Sequence, residues 1–421
     1  MRPHRFFLII LITILPLGQF SRIPLGNSNL VIYLNDILLP LILGFWVIDV
    51  LKRKEKFKPP YLSLLILLFL IVGIVSLLWN KQYLSVDELF ISGLYLWRWL
   101  TYTGLYFVAY DLMNKINNQE VKNKEISFFI NLIIGTGFIV ALFGLIQYII
   151  FPNFASMVAQ GWDPHYYRVL STFFDPNYVG GFLVLNFVLI VSMSLEVDSW
   201  KKLDLVKGVI AITILAAIVL TFSRSTYLMF VVAMGIVGII RSRELLILGI
   251  LVGILTFLLI PRVQERVIGG FKIDTSANFR FESWEKGLEI AKKNLVLGVG
   301  YNSYRYAQIR YDYIEPWEES EVSSHASSGV DSSLVLIFAT TGIMGLIFYF
   351  WFLGRQLIIS GISYVKGDSS WAKILGLTIF ASVSALIIHS QFVNSLLYPF
   401  ILEWVMIVIG IMEGSLQDSI K

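Results

Sequence analysis

Twelve apolar runs follow one another along the 421-residue chain, separated by mostly short polar gaps. They fall at roughly 6–20, 30–51, 60–79, 88–111, 127–151, 178–195, 205–222, 226–241, 244–260, 331–353, 371–392 and 395–413. A helix needs about 20 apolar residues to cross the hydrocarbon core of a bilayer, so each run predicts a transmembrane helix. Membrane barrels alternate apolar and polar positions, and these runs do not. The pattern predicts an all-α polytopic membrane protein of about twelve spans, with 1–421 as a single integral membrane domain.

The polar gaps carry different charges. Arg2 and Arg5, then Lys52, Arg53, Lys54, Lys56 and Lys58, then Lys115, Lys122 and Lys124 fall in alternate gaps. So do Lys201, Lys202 and Lys207, then Arg241 and Arg243, then Arg355 and Lys366. Cytoplasmic gaps collect lysine and arginine, so this alternation predicts that both termini are cytoplasmic. The MRPHR start and the apolar stretch after it resemble a signal peptide, but no small-residue cleavage site follows. An uncleaved first span is expected.

The gaps on the other side are short, with two exceptions. Residues 152–177 form a medium loop, and residues 261–330 form a large extracytoplasmic loop. Within the latter, WEKGLEIAKKN (284–294) has helical spacing, with Trp284, Leu288, Ala291 and Leu295 on one face. Gly298 and Gly300 end that helix. Tyr301, Tyr304, Tyr306, Tyr311, Tyr313 and Trp317 follow, an aromatic content suited to the membrane interface.

Composition agrees with the pattern. The chain is 57% hydrophobic and 15% charged, with mean hydropathy +0.74, against about 25% charged in soluble proteins. The net charge of +4 resides largely beside the runs. That reads as topology signal and not as nucleic-acid binding. The absence of cysteine excludes disulfides, thiol catalysis and cysteine-ligated metals. No HExxH, DxD, GxSxG or P-loop motif is present. With four histidines and no tight acidic cluster visible on the outer face, no metal and no cofactor is expected.

Candidate chemistry lies opposite the lysines. Arg168, Arg224, Arg280 and His325 share the outer side with few other cations. Guanidinium grips phosphate through two parallel hydrogen bonds, so several arginines on one membrane face suit a lipid-linked phosphate or pyrophosphate. Each has a plainer reading. Arg224, in LTFSRSTYL, can be a snorkelling anchor. Arg168 precedes the turn signal Asp175-Pro176-Asn177 and Gly180-Gly181, which together make a good helix start. Arg280 can be an exposed charge paired with Glu282 or Glu285. His325 can take a proton near neutral pH or be a surface histidine. Asp331 is a second possible base, and His389, near the outer end of the eleventh run, can face the same cavity or cap a helix. Deeper in the membrane, Arg98 with Asp36 or Glu403 is expected to form a structural ion pair.

RVLSTFFDPNYVGGFL, LTFSRSTYL, the run from Arg280 to Gly300 and SLVLIFATTGIMGL resemble, in this order, segments of the O-antigen ligase and polymerase superfamily of bacterial envelope glycosyltransferases. DILLPLIL (36–43) is also similar. The resemblance covers roughly residues 160–350. It implies a fold like the GT-C membrane glycosyltransferases, and metal-independent transfer of a glycan from an undecaprenyl-pyrophosphate carrier. The acceptor would be a glycan or glycolipid at the outer face of the cytoplasmic membrane. Arg168, Arg224 and Arg280 would meet the pyrophosphate. Where the family usually carries a His-Asn pair this chain has Asp331 and Ser332, with His325 six residues earlier; the base is then His325 or Asp331. A transporter or flippase of the envelope is the rival reading. It predicts repeat symmetry and a midplane site on broken helices, and no repeat is visible in the sequence.

Overall fold

A computed structural model describes residues 2–24, 30–53, 57–196, 205–269, 275–313 and 329–416. Fifteen α-helices are named here in chain order. They are α1 Pro3–Ile14, α2 Leu34–Leu51, α3 Ser63–Trp79, α4 Val86–Asn114, α5 Gln119–Ile150, α6 Pro176–Glu196, α7 Leu205–Leu220 and α8 Arg224–Arg241. They continue with α9 Arg243–Leu259, α10 Pro261–Gly269, α11 Thr275–Lys293, α12 Tyr304–Arg310, α13 Ser333–Lys366, α14 Ser370–His389 and α15 Pro399–Ser415. Arg22–Pro24 and Val31–Tyr33 pair as a short antiparallel ribbon.

Every one of the twelve apolar runs is helical, so the chain is an all-α integral membrane protein. Among the described residues seven helices are long and apolar enough to cross a membrane, or eight if α9 and α10, bent by 104°, form one span. The expected twelve spans are therefore not all met by length and composition. The shortfall has two causes. α3, α7 and α15 are only 17, 16 and 17 residues long. α4 is long, but its middle holds Arg98 among Trp, Tyr, Thr and Gly residues, so no stretch of it is apolar enough.

Polar residues set the helix starts. Ser85, Asn118, Ser223, Ser242, Ser332 and Ser369 each accept a hydrogen bond from a backbone N–H of the first turn. Such caps satisfy donors that have no partner inside the helix. α15 is the buried centre of the bundle and packs along α4. α9 is the opposite case: none of its residues is buried.

α11 covers the predicted loop helix but buries a different face. Ile290, Ala291 and Gly287 turn inward, whereas Leu288 and Leu295 are exposed. Val330 and Val335 approach Gly287 so closely that a Cβ there would lie 2.8 Å from each. That contact, and not leucine content, selects the face.

α13 is interrupted. Gly342 has φ 67° and ψ −168° inside it, a conformation glycine adopts without penalty. Backbone from 295–300 fills the break. Val299 N–H donates to Ala339 O at 2.9 Å, Gly300 N–H to Thr340 O at 3.1 Å, and Ile343 N–H to Leu295 O at 2.8 Å. Ser76 Oγ and Asn80 Nδ2 from α3 donate to Leu297 O and Gly298 O. The glycines seen in the sequence thus serve a re-entrant segment whose polar backbone is fully engaged, as burial requires.

The deep charges pair as expected in part. Arg98 Nη2 lies 2.7 Å from Asp36 Oδ2. Glu403 instead accepts from Asn35 Nδ2 at 2.6 Å. At the end of the bundle where α2 and α4 finish, Arg53 bridges Asp49 and Asp111, and Lys115 lies 2.7 Å from Asp111.

Candidate active site

The loop 152–177 folds back on itself and presents Arg168. Phe154 N–H donates to His165 O at 2.9 Å and Tyr167 N–H to Pro152 O at 2.7 Å. Phe154, Leu170 and Phe174 form a small apolar core beneath, with Met157 and Trp162 against it. Gln147 Oε1, at the end of α5, accepts from Leu170 N–H at 2.9 Å and Ser171 N–H at 3.2 Å. Held this way, Arg168 donates from Nε to Thr221 O at 2.8 Å and from Nη2 to Phe222 O at 3.2 Å.

The backbone here is strained. Tyr167 (φ 46°), Ser171 (φ 51°), Phe174 (φ 58°) and Phe222 (φ 47°) are all left-handed and none is glycine. Such conformations cost of order 1–3 kcal/mol each and persist where the surroundings impose them, often at functional sites. Four of the six left-handed non-glycine residues described flank Arg168.

Arg224 begins α8, and its Nη1 donates to Gly269 O at 3.0 Å, at the end of α10. α10 brings two arginines that the sequence reading passed over inside the 261–330 loop. Arg262 donates to Tyr167 O and, at 2.6 Å, to Tyr166 O, and its guanidinium lies 4.6 Å from the Phe222 ring centroid. Arg266 interacts electrostatically with Arg168 and His165. The signal was available in PRVQERVIG, where Arg262 and Arg266 stand four apart on one helix face. Arg168, from a loop, and Arg224, from the start of α8, thus both meet α10, which carries Arg262 and Arg266.

Carboxylates and an imidazole face them. Asp163, His165 and Asp175 offer ligand atoms all within 4.8 Å of one another. No tight acidic cluster was expected on this side, so this is a correction. Residues 163–165 and 175 are separated in sequence and meet only because the loop folds back. Two carboxylates and an imidazole are donors that a divalent cation accepts, so these are the residues that could hold one. Burial, then the charges of Arg168 and Arg266, push the His165 imidazole down to about 4, which leaves it neutral near pH 7. Burial, then Arg266 and Arg262, push Arg168 down to about 9, with Asp175 opposing; it remains a cation near neutral pH. Burial raises the carboxyls of Asp163 and Asp175 above the usual range. Asp175 Oδ1 also accepts from the N–H groups of Asn177 and Tyr178 at 2.7 and 2.9 Å, which fixes the start of α6.

Arg280 and Asp331 complete the site. Ser283 Oγ accepts from Asp331 N–H at 3.2 Å, and Trp284 Nε1 donates to Asp331 O at 3.3 Å. α11 thereby carries Arg280 to the segment that starts α13. Crowding by protein raises the Asp331 carboxyl, Arg280 opposes this, and the charges of Asp175 and Asp163 add to it. Asp331 stays accessible at the surface. The two halves are therefore electrostatically one site. Of the sequence candidates, Arg280 acts on Asp331, and Arg168 and Asp331 both interact with Asp175, whereas Arg224 meets the end of α10. His325 lies outside the described residues. His389 is wholly buried at the end of α14, against Gly181 of α6.

This arrangement can bind an anion with several guanidinium groups and accept a proton at a raised carboxylate. Residues 209–350, a third of the chain, match the family model described as O-antigen ligase. The match contains Arg224, Arg262, Arg266, Arg280 and Asp331, and stops short of Arg168. No curated protein matches the chain.

Proposed function

We propose that this member of the O-antigen ligase superfamily transfers a glycan from an undecaprenyl-pyrophosphate carrier to an acceptor glycan or glycolipid. The reaction takes place at the outer face of the cytoplasmic membrane, with both termini of the chain on the inner side. The observation that carries this reading is the arginine set. Arg168 and Arg262 spend their hydrogen bonds on backbone carbonyls, and among the described residues no salt bridge joins either of them to a carboxylate. Carbonyls orient a guanidinium without cancelling its charge, which suits an anionic ligand.

In the reaction the acceptor hydroxyl oxygen attacks the anomeric carbon. The bond from that carbon to the pyrophosphate oxygen breaks, and its electron pair leaves on the carrier pyrophosphate. Arg168, Arg224 and Arg280, with Arg262 and Arg266, stabilise the charge that develops there. Asp331 takes the hydroxyl proton, since a raised carboxyl is a better base than an ordinary one. Pyrophosphate departs without protonation, so no general acid is needed, and the arginines do the work that a metal does elsewhere.

A transporter would place its site on broken helices at mid-membrane. The break in α13 is filled by 295–300 and holds no ionisable side chain, and the charges beyond the bend between α9 and α10, Arg262 and Arg266, meet the loop 152–177, which favours the enzyme. The test is purified protein in nanodiscs with an undecaprenyl-pyrophosphate oligosaccharide and a tagged acceptor sugar. Release of undecaprenyl pyrophosphate together with glycosylated tag is expected. Intact donor after prolonged incubation, with movement of donor between leaflets, would establish the transporter instead.

A further inference from the structure

We infer that His389 is a positioning residue for the acceptor sugar, an inference that rests on the transfer reaction proposed above. Its side chain is fully buried, and neither ring nitrogen has a hydrogen-bond partner in the protein. Buried polar groups are almost always satisfied. One without a protein partner takes it from water or from a ligand.

The surroundings say which ligand. The imidazole packs on Gly181, where a Cβ would lie 3.2 Å from His389 Cε1. A larger residue there would push the ring away. The next residue ties this end of α14 to the site: Ser333 N–H donates to Ser390 O at 2.8 Å, two residues beyond Asp331. Leu396 N–H donates to Ser333 Oγ at 3.1 Å. Phe392 packs on Trp284, whose indole holds Asp331 O. Arg280 acts electrostatically on Asp331 and on His389 alike. His389 therefore stands at the end of α14 that is tied to the segment carrying Asp331, which we take as the acceptor half of the site, while Arg168, Arg262 and Arg266 form the pyrophosphate half. Asn394 Oδ1 and Ser395 Oγ, in the turn that follows, are also buried without a protein partner.

The chemistry agrees with the place. Pyrophosphate oxygens accept hydrogen bonds only, and the arginines supply donors for them. An uncharged imidazole offers one donor and one acceptor, and so does a sugar hydroxyl. The imidazole, directly or through one buried water, holds a hydroxyl of the acceptor in register with Asp331. It takes no proton in the reaction and acts through the orientation of the sugar.

The experiment measures transfer from the undecaprenyl-pyrophosphate oligosaccharide to an oligosaccharide that matches its non-reducing end and is tagged at its reducing end, each varied in turn. Wild-type turnover reports the transfer reaction by itself; without it the reading above fails before His389 is at issue. Given turnover, His389→Phe is expected to raise the acceptor KM about tenfold, the worth of one lost hydrogen bond, with the donor KM unchanged. His389→Asn, which keeps a donor and an acceptor, should recover part of the loss. His4, in α1, is likewise fully buried with neither ring nitrogen partnered in the protein, but its charged neighbours include Asp49 and Arg53 and not Arg280 or Asp331, so His4→Phe should leave both constants alone. Wild-type acceptor dependence in His389→Phe overturns the inference, as does a change confined to the donor KM. Should His389→Phe fail to accumulate in the membrane, His389→Asn decides: an acceptor KM equal to wild type with a raised donor KM overturns it equally.

Discussion

Two regions of this molecule concentrate arginine, and they treat it in opposite ways. Where α2 and α4 end, Arg53 is gripped by Asp49 and Asp111, and Lys115 shares both carboxylates. Arg5 lies against Glu125, with Nη2 to Oε2 at 3.0 Å. Around the loop 152–177, Arg168 and Arg262 are held by the carbonyls of Tyr166, Tyr167, Thr221 and Phe222. The first arrangement cancels charge and locks helices together. The second keeps charge and aims it. Placing several cations side by side is unfavourable without an anion to share; burial first, and then Arg266 and Arg262, depress Arg168. A structural arginine and a ligand-binding one are thus distinguished by what accepts their hydrogen bonds, more than by how deeply they lie.

If that contrast is correct, removing charge on one side stops chemistry and on the other side weakens the fold. The largest effect is expected from Arg168→Ala. Loss of one preorganised group that stabilises developing charge costs roughly 100- to 1,000-fold in turnover. Arg168→Lys should recover little, because a point charge cannot span Thr221 O and Phe222 O while meeting phosphate. Transfer assays on protein normalised for membrane content check this. Wild-type rates in Arg168→Ala would reduce the carbonyl-held arginines to anchors.

Asp331→Asn is expected to lose about a hundredfold, the usual contribution of a general base. The base must be deprotonated to act. Its carboxyl lies above the ordinary aspartate range, so activity should fall on acidification at a higher pH than a free aspartate would give. Arg280 holds that carboxyl down. In Arg280→Gln the acid limb of the residual activity should therefore move to still higher pH. A limb that stays in place, or moves the other way, would detach Arg280 from Asp331. Full activity in Asp331→Asn would pass the role of base to His325.

The contrasting region supplies a smaller effect of another kind. Asp111 is nearly buried and holds Arg53, Lys115 and the Trp46 indole. Asp111→Asn leaves the partly exposed Arg53 and Lys115 with Asp49 alone, at a cost below the roughly 3 kcal/mol at which the loss of one partner of a fully buried pair begins. A lower melting temperature in detergent is expected, with the transfer rate of the surviving protein unchanged. A loss of rate at constant stability would erase the distinction between the two regions.

The spanning helices were legible because each is an apolar run, six of the helices also start at a polar cap, and both features are local. Whether a given helix spans was less legible, since a 17-residue helix such as α3 and one with a polar middle such as α4 depart from the simple rule. At the site, Arg224 and Asp331 stand at the edges of apolar runs, whereas Arg168 and Arg280 lie within the two outer loops and stand out through the surrounding segments that resemble the family. Arg262 and Arg266 are less visible, because they sit in a short amphipathic helix that reads as part of a long polar loop. Asp163 and His165 were hidden for a different reason: their proximity to Asp175 comes from a fold-back with left-handed residues that no local pattern announces. The buried face of α11 depended on Gly287 admitting Val330 and Val335, a tertiary fact.

The smallest expected effect concerns those same residues, and it is the sharpest test of what the arginines do. Asp163, His165 and Asp175 are arranged as ligands for a divalent cation would be, and they adjoin Arg168. A cation bound there would sit among Arg168, Arg262 and Arg266 and add to the positive charge that already depresses Arg168. If the guanidinium groups alone meet the pyrophosphate, a chelator should change the transfer rate by no more than about twofold, since the charge stabilisation is already in place. His165→Ala and Asp163→Asn should then cost far less than Arg168→Ala. The opposite outcome is equally legible. Abolition of transfer by EDTA, with recovery on adding Mg²⁺ or Mn²⁺ in wild type but not in Asp163→Asn, would make these three residues metal ligands. The arginines would then be the support of a metal centre and no longer its replacement.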